Sequence, residues 1–269
     1  MVSILRTEFF RLKKSALFWA LLFVCALLPA VSVLINYLSV KALSGMDMGV
    51  EFDVWEYIKT VNVTGEVLSA LPRLTGDSLF ALICTSIFLT KEFSDGTYRN
   101  ILLANRSRRE LYHSFLVMAL TVGASYFVAS YVSTILFNAV VFGFGTMVPL
   151  SVVTACVIAF AMGMVSVVFL QSMTCMFLFV SRKLSVALVC PLVISILAPT
   201  FIYSFVEVFA EYGIISSMDM TWIPLYNLNL LDLTNIDGAL IGKIFLYLIP
   251  LSVLFYLLGW ASFKKADLK

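Results

Sequence analysis

The chain has 269 residues, 61% of them apolar and only 13% charged, with a formal net charge of +2 and a mean hydropathy of +1.01. Soluble domains carry charge at about a quarter of positions, so this composition excludes a soluble globular protein and points to an all-α integral membrane protein. Its five cysteines lie in apolar runs without C-x-x-C spacing and its single histidine cannot form a cluster, so neither a disulfide framework nor a metal site is expected.

The first fifteen residues, MVSILRTEFFRLKKS, place Ile4, Leu5, Phe9 and Leu12 at helical spacing with Arg6, Arg11, Lys13 and Lys14 between them. This predicts a basic amphipathic helix lying in the headgroup layer. Residues 16–38 are a first span; Ala30 to Ser32 imitate a cleavage site, but the apolar run is too long for a signal peptide. Residues 39–76 mix acids and bases and read as a first extramembrane loop. A second span at about 74–90 is short, because its clean apolar part covers only 13 residues, 78–90. Spans at 114–142 and 150–180 follow, separated by GFGTMVP, each one long or tilted helix. Beyond Arg182 and Lys183 lies a fifth span, 186–206, then a polar loop, 207–237, with two apolar stretches, and a sixth span, 241–263.

Six spans place both termini on one side. With that side cytoplasmic, fourteen of the eighteen Lys and Arg residues fall inside, as the positive-inside bias requires. Removing the short second span would move the basic stretch after it outside, against that bias.

Five of the eighteen basic residues lie between Lys91 and Arg109. Asp95 and Gly96 signal a turn, Thr97 can cap a short helix, Ile101, Leu102 and Leu103 give that helix an apolar face, and Ser107 caps the next span. A charged tether would have no use for those apolar residues, so the layout is that of a docking element.

Glu92, Gly96, Thr97, Arg99, Leu102, Ser107 and Arg108 stand as E-x-x-x-G-T-x-R-x-x-L followed by S-R. This resembles the signature loop of ABC-2 type permeases, the membrane subunits of ATP-binding-cassette exporters, especially the small six-span bacterial type linked to peptide export and peptide antibiotic resistance. The resemblance implies a single permease domain over residues 1–269, with residues 92–104 forming a coupling helix that enters a cleft of a separate ATPase. The N-terminal helix would then be a second contact, and Arg99, Leu102 and Arg108 the partner-facing residues. His113 departs from the Lys common in such relatives. The chain has no GxxxxGK[ST] motif, so ATP and Mg belong to the partner ATPase and no cofactor or enzymatic activity is assigned here. Two ATPase copies, a second permease chain (identical or related) and membrane lipid are the implied partners, with no nucleic acid; the implied location is a bacterial cytoplasmic membrane.

Polar residues at membrane depth are the candidates for a pathway. Asn138 and Gln171 read either as pathway amides or as interhelical hydrogen-bonding groups. Arg73 and Asp77, four residues apart, read as a structural clasp or an outer gate. Pro191, Pro199 and Pro250 provide places to bend, while Ala155, Ala159 and Gly163 suit close helix contact. An amphipathic cargo such as a peptide, antibiotic or lipid-like molecule fits the Phe- and Met-rich wall. The alternatives are an ion-coupled secondary transporter, or a non-transporting sensor or anchor; an intramembrane enzyme lacks its paired acids or Ser/Lys arrangement.

Overall fold

The computed structural model describes residues 2–44, 63–96, 107–142, 150–212 and 238–265, where all regular secondary structure is helical. Helix α1 is Val2–Lys14 and α2 is Ala16–Ser44. Ser15 breaks them apart, its Oγ accepting from the Phe18 N–H at 3.4 Å as a cap for the new helix. Helix α3 is Val63–Ser94, α4 is Arg108–Phe142 and α5 is Leu150–Ser181. Arg182 then takes a left-handed φ of 55°, with its N–H donating to the Leu178 carbonyl at 2.7 Å, which ends α5 and turns the chain into α6, Leu184–Leu192. A π-helical segment, Val193–Leu197, joins α6 to α7, Ala198–Glu211, and α8 is Gly238–Lys265.

Five stretches are long and apolar enough to cross a membrane: Ala16–Ser39, Arg108–Val141, Val153–Ser181, Leu184–Ala210 and Gly238–Lys265. Their positions match five of the six expected spans. The third begins at Arg108, six residues earlier than the apolar run, because Ser107 caps it and its first turn carries charge. The expected second span falls within α3, which is not among the five. The side chains of α3 are described only from residue 79, a stretch shorter than a crossing needs. Even so, Ala81, Leu82, Cys84 and Leu89 of its C-terminal half are buried, and α3 packs against α4, α5 and α6. Helix α3 also begins inside the stretch read as an extramembrane loop.

Three buried clusters hold the bundle. One joins α4, α5 and α8 through Phe127, Tyr131, Ala155, Ala159, Met162, Ile244 and Leu248, so the small residues of α5 do mediate close packing. A second gathers Leu89, Tyr112, Phe115, Phe179, Ala187 and Phe263 at one end, and a third ties Leu12 and Phe18 to Ala81, Met118 and Tyr126. Gly123 of α4 lies so close to α5 that a Cβ there would meet Val167 Cγ1 at 2.7 Å and Gln171 Cγ at 2.9 Å.

The prolines act through the carbonyls they leave without a donor. Pro191 has no N–H for the Ala187 carbonyl, and the Ser86 hydroxyl of α3 donates to that carbonyl instead at 3.2 Å. Pro199 follows the π-helical segment directly, so the expected irregularity of the fifth span takes that form.

The C-termini of α3, α5 and α8 meet the N-termini of α4 and α6 at one end of the bundle. There Phe93 contacts Phe115 and Phe179, and Phe179 contacts Phe263. Helix α1 joins the same end, through Arg11 and Glu92. Arg6, Arg11, Lys13, Lys14, Lys91, Arg108, Arg109, Arg182, Lys183, Lys264 and Lys265 sit on the elements that meet there. The N- and C-terminal helices therefore share one end of the bundle.

Candidate functional site

The candidate site is the junction between α3 and α4. Helix α3 closes with the Asp95 N–H donating to the Lys91 carbonyl at 2.9 Å and with Ser94 Oγ donating to the same carbonyl at 3.0 Å. Gly96 follows with φ of 66° and open space around it, so glycine is required by backbone conformation and not by crowding. The expected turn at Asp95 and Gly96 is thus the C-terminal stop of α3. Thr97, Arg99 and Leu102, with the rest of residues 97–106, lie outside the described residues.

On the far side of that segment Ser107 caps α4. Its Oγ accepts from the Glu110 N–H and its carbonyl from the Leu111 N–H, both at 3.2 Å. Arg108 reaches across to α8, Nη1 donating to the Lys264 carbonyl at 2.9 Å. A cation on the last carbonyls of a helix also meets the negative end of its dipole. Arg108 therefore anchors the C-terminal helix to the start of α4, a role that the motif alone does not disclose.

Glu92 is fully buried. It is ion-paired with Arg11 of α1, and the same guanidinium lies 3.7 Å from Glu8, also buried. The Arg11 guanidinium sits 5.8 Å from the centre of the Phe88 ring, an added attraction for the cation. Burial pushes the Glu8 carboxyl up to about 7, neighbouring Glu92 pushes in the same direction, and Arg11 opposes both. Glu8 and Arg11 were missed as site residues. The available signal was Glu8 midway between Ile4 and Leu12, four residues from each, on the buried stripe of an interfacial helix.

Beside this junction Tyr112, fully buried, donates to the Tyr256 carbonyl at 2.7 Å, and Gly259 lies so close that its Cβ would meet Tyr112 Oη at 2.7 Å and Met176 Cα at 3.1 Å. His113 places Nδ1 at 2.6 Å from the Arg109 carbonyl, which can only accept, and Nε2 at 2.8 Å from the Tyr256 hydroxyl. It is thereby a link between α4 and α8.

The other candidates are not brought together. Asn138 is buried and spends its Nδ2 on the Thr134 carbonyl of its own helix at 2.8 Å, while Oδ1 has no hydrogen bond among the described residues. Gln171 is buried against Gly123, and its Oε1 also lacks a partner. Asn138 lies fifteen residues along α4 from Gly123, about 22 Å at 1.5 Å per residue, so the two amides occupy different depths. Arg73 and Asp77 lie on α3, but their side chains are outside the described residues.

Comparison with known proteins gives one match. A family profile described as "ABC-2 family transporter protein" covers residues 4–207, which spans α1 through most of α7 and includes the whole α3–α4 junction. No curated protein and no solved structure matches. With a profile of this family covering most of an all-helical chain that crosses the membrane several times, the protein belongs to the ABC-2 transporter family, as a permease of an ABC transporter whose kind implies partnership with an ATP-binding subunit.

Proposed function

We propose that the chain is the membrane subunit of an exporter, with α3 as a sixth span, both termini cytoplasmic, and the part of the expected coupling stretch 92–104 that follows Gly96 as the coupling element for a separate P-loop ATPase, since Glu92–Ser94 belong to α3. The observation that carries this reading is the Glu92–Arg11 ion pair. It fastens the interfacial helix to the point where the chain leaves α3 for the basic motif. A force applied to residues 97–106 would therefore reach α1, α3 and α4 together, and through Arg108 also α8. Burial of the C-terminal half of α3 supports its role as a span, since a central helix needs little hydropathy when its neighbours shield it from lipid.

In this reading two permease chains and two ATPase subunits assemble in a bacterial cytoplasmic membrane, and ATP with Mg resides in the partner. Shifting the bundle from 1:99 to 99:1 between two arrangements requires about 5.5 kcal/mol of differential interaction, which a nucleotide cycle can supply through a rigid contact. The cargo is an amphipathic molecule such as a peptide, antibiotic or lipid-like compound, matching the apolar wall of Phe and Met.

The test is purification of the intact complex in mild detergent, with the bound ATPase identified and its activity measured. Arg99→Ala with Leu102→Asp is expected to release the ATPase from a chain that still inserts and folds. Retention of a fully active ATPase by that variant would refute the coupling assignment.

A further inference from the structure

The Glu8, Arg11 and Glu92 cluster holds two carboxyl groups and one guanidinium, with Glu8 and Glu92 buried. The guanidinium is paired with Glu92 and stands 3.7 Å from Glu8, so an ionised Glu8 would be a buried carboxylate with no closely paired cation of its own among the described residues, an arrangement that is costly. If Glu8 holds a proton, what remains is a neutral carboxyl beside one matched ion pair. Glu8 Oε2 has no hydrogen-bond partner among the described residues.

Among the described residues, the charged groups acting on Glu8 are Arg11 of its own helix and Glu92 of α3. Arg108, Arg109, Glu110 and His113 are the charged and titratable groups at the start of α4, where Arg108 binds the Lys264 carbonyl and His113 bridges the Arg109 carbonyl and the Tyr256 hydroxyl. Helices α2 and α4 pack on α1 beside the cluster of Leu12, Phe18, Met118 and Val122. The titratable members of that cluster, Cys25, Cys84 and Tyr126, carry no charge near neutral pH. Phe88 adds only its ring.

We propose that Glu8 is a positioning residue whose bound proton keeps α1 seated on the end of α3, so that the hold of α1 on Glu92 tightens in acid and loosens as the cytoplasm becomes alkaline. The seat itself stands on the cluster geometry; its consequence for transport rests on the coupling reading above. The direction follows from proton binding. The seated form holds its proton up to about pH 7, whereas a solvated Glu8 releases it near 4.5. Unseating therefore becomes roughly tenfold easier for each pH unit between 4.5 and about 7, and changes no further above that.

The experiment uses the full chain in nanodiscs of phosphatidylethanolamine and phosphatidylglycerol. Spin labels are placed at Lys13→Cys and Lys91→Cys, both exposed, with the five native cysteines replaced by alanine. A longer-distance population should grow as pH rises from about 5 to about 7 and then level off, while Glu8→Gln should hold the short distance throughout. Distances independent of pH, or an equal pH response in Glu8→Gln, would overturn the proposal. A second measurement keeps the native cysteines: the infrared carboxylic-acid band of the wild-type chain at about pH 6, minus that of Glu8→Gln, should show one protonated carboxyl that disappears by about pH 8. No such band overturns the proposal. A pH-dependent seat in a chain that binds no ATPase would sustain this inference and remove the coupling reading instead.

Discussion

The two ends of the helical bundle are built differently. At the end where α1 meets α3, helices are fixed by specific polar contacts set in an aromatic cluster: Arg11 on Glu92, Arg108 on the Lys264 carbonyl, Tyr112 on the Tyr256 carbonyl and His113 on the Tyr256 hydroxyl. Toward the other end α7 exposes Phe201, Ile202, Tyr203, Phe205, Val208 and Phe209, and among its described side chains only Pro199 is buried. Directional contacts fix relative positions to a fraction of an ångström, whereas apolar surface in lipid gains little from choosing one neighbour over another. The first end is suited to transmitting a displacement and the second to changing its packing.

That contrast can be broken most severely at Arg11. Replacing it with alanine removes the guanidinium paired with buried Glu92, a loss of about 3–5 kcal/mol. Unfolding in mixed micelles should show it, and Glu8→Gln with Glu92→Gln in the same chain should recover much of the deficit. Next in size is Gly259→Val. Its new side chain would meet Met176 Cα, which cannot turn aside as the tip of a side chain can. The expected cost is about 1–3 kcal/mol, read by the same unfolding assay. Smallest is Phe205→Ala with Phe209→Ala. These rings stack on each other at 6.4 Å between centroids but stand exposed, so stability should change by no more than about 0.5 kcal/mol for either position. A large loss there would mean that the second end is held as firmly as the first.

Much of this was legible in the sequence because it is local. Ser107 reads as a cap from its place before a charged first turn, and Asp95 with Gly96 reads as a stop; both follow from backbone chemistry within a few residues. The apolar spans follow from length and hydropathy alone. What was not legible depends on partners distant in the chain. Nothing near Glu92 announces Arg11, nothing near Gly259 announces Tyr112, and nothing near Pro191 announces Ser86. Helix α3 shows the same limit from another side. Its polar N-terminal half reads as a loop, because hydropathy scores composition and cannot register a helix whose polar residues interrupt its apolar ones.

The attachment of α2 to the bundle shows a separate property. Tyr126 donates to the Phe18 carbonyl at 3.0 Å, and Ser133 donates to the Ala26 carbonyl. Both bonds end on backbone oxygen, which every amino acid provides. Helix α4 thus holds α2 at two backbone points, beside the inward side chains Phe18 and Cys25 that pack on it. The outward residues of α2, from Phe23 to Leu34 and Leu38, are then free to drift over evolutionary time. A lineage moving into a thicker, thinner or more fluid bilayer could retailor that surface while the docking of the helix stayed unchanged.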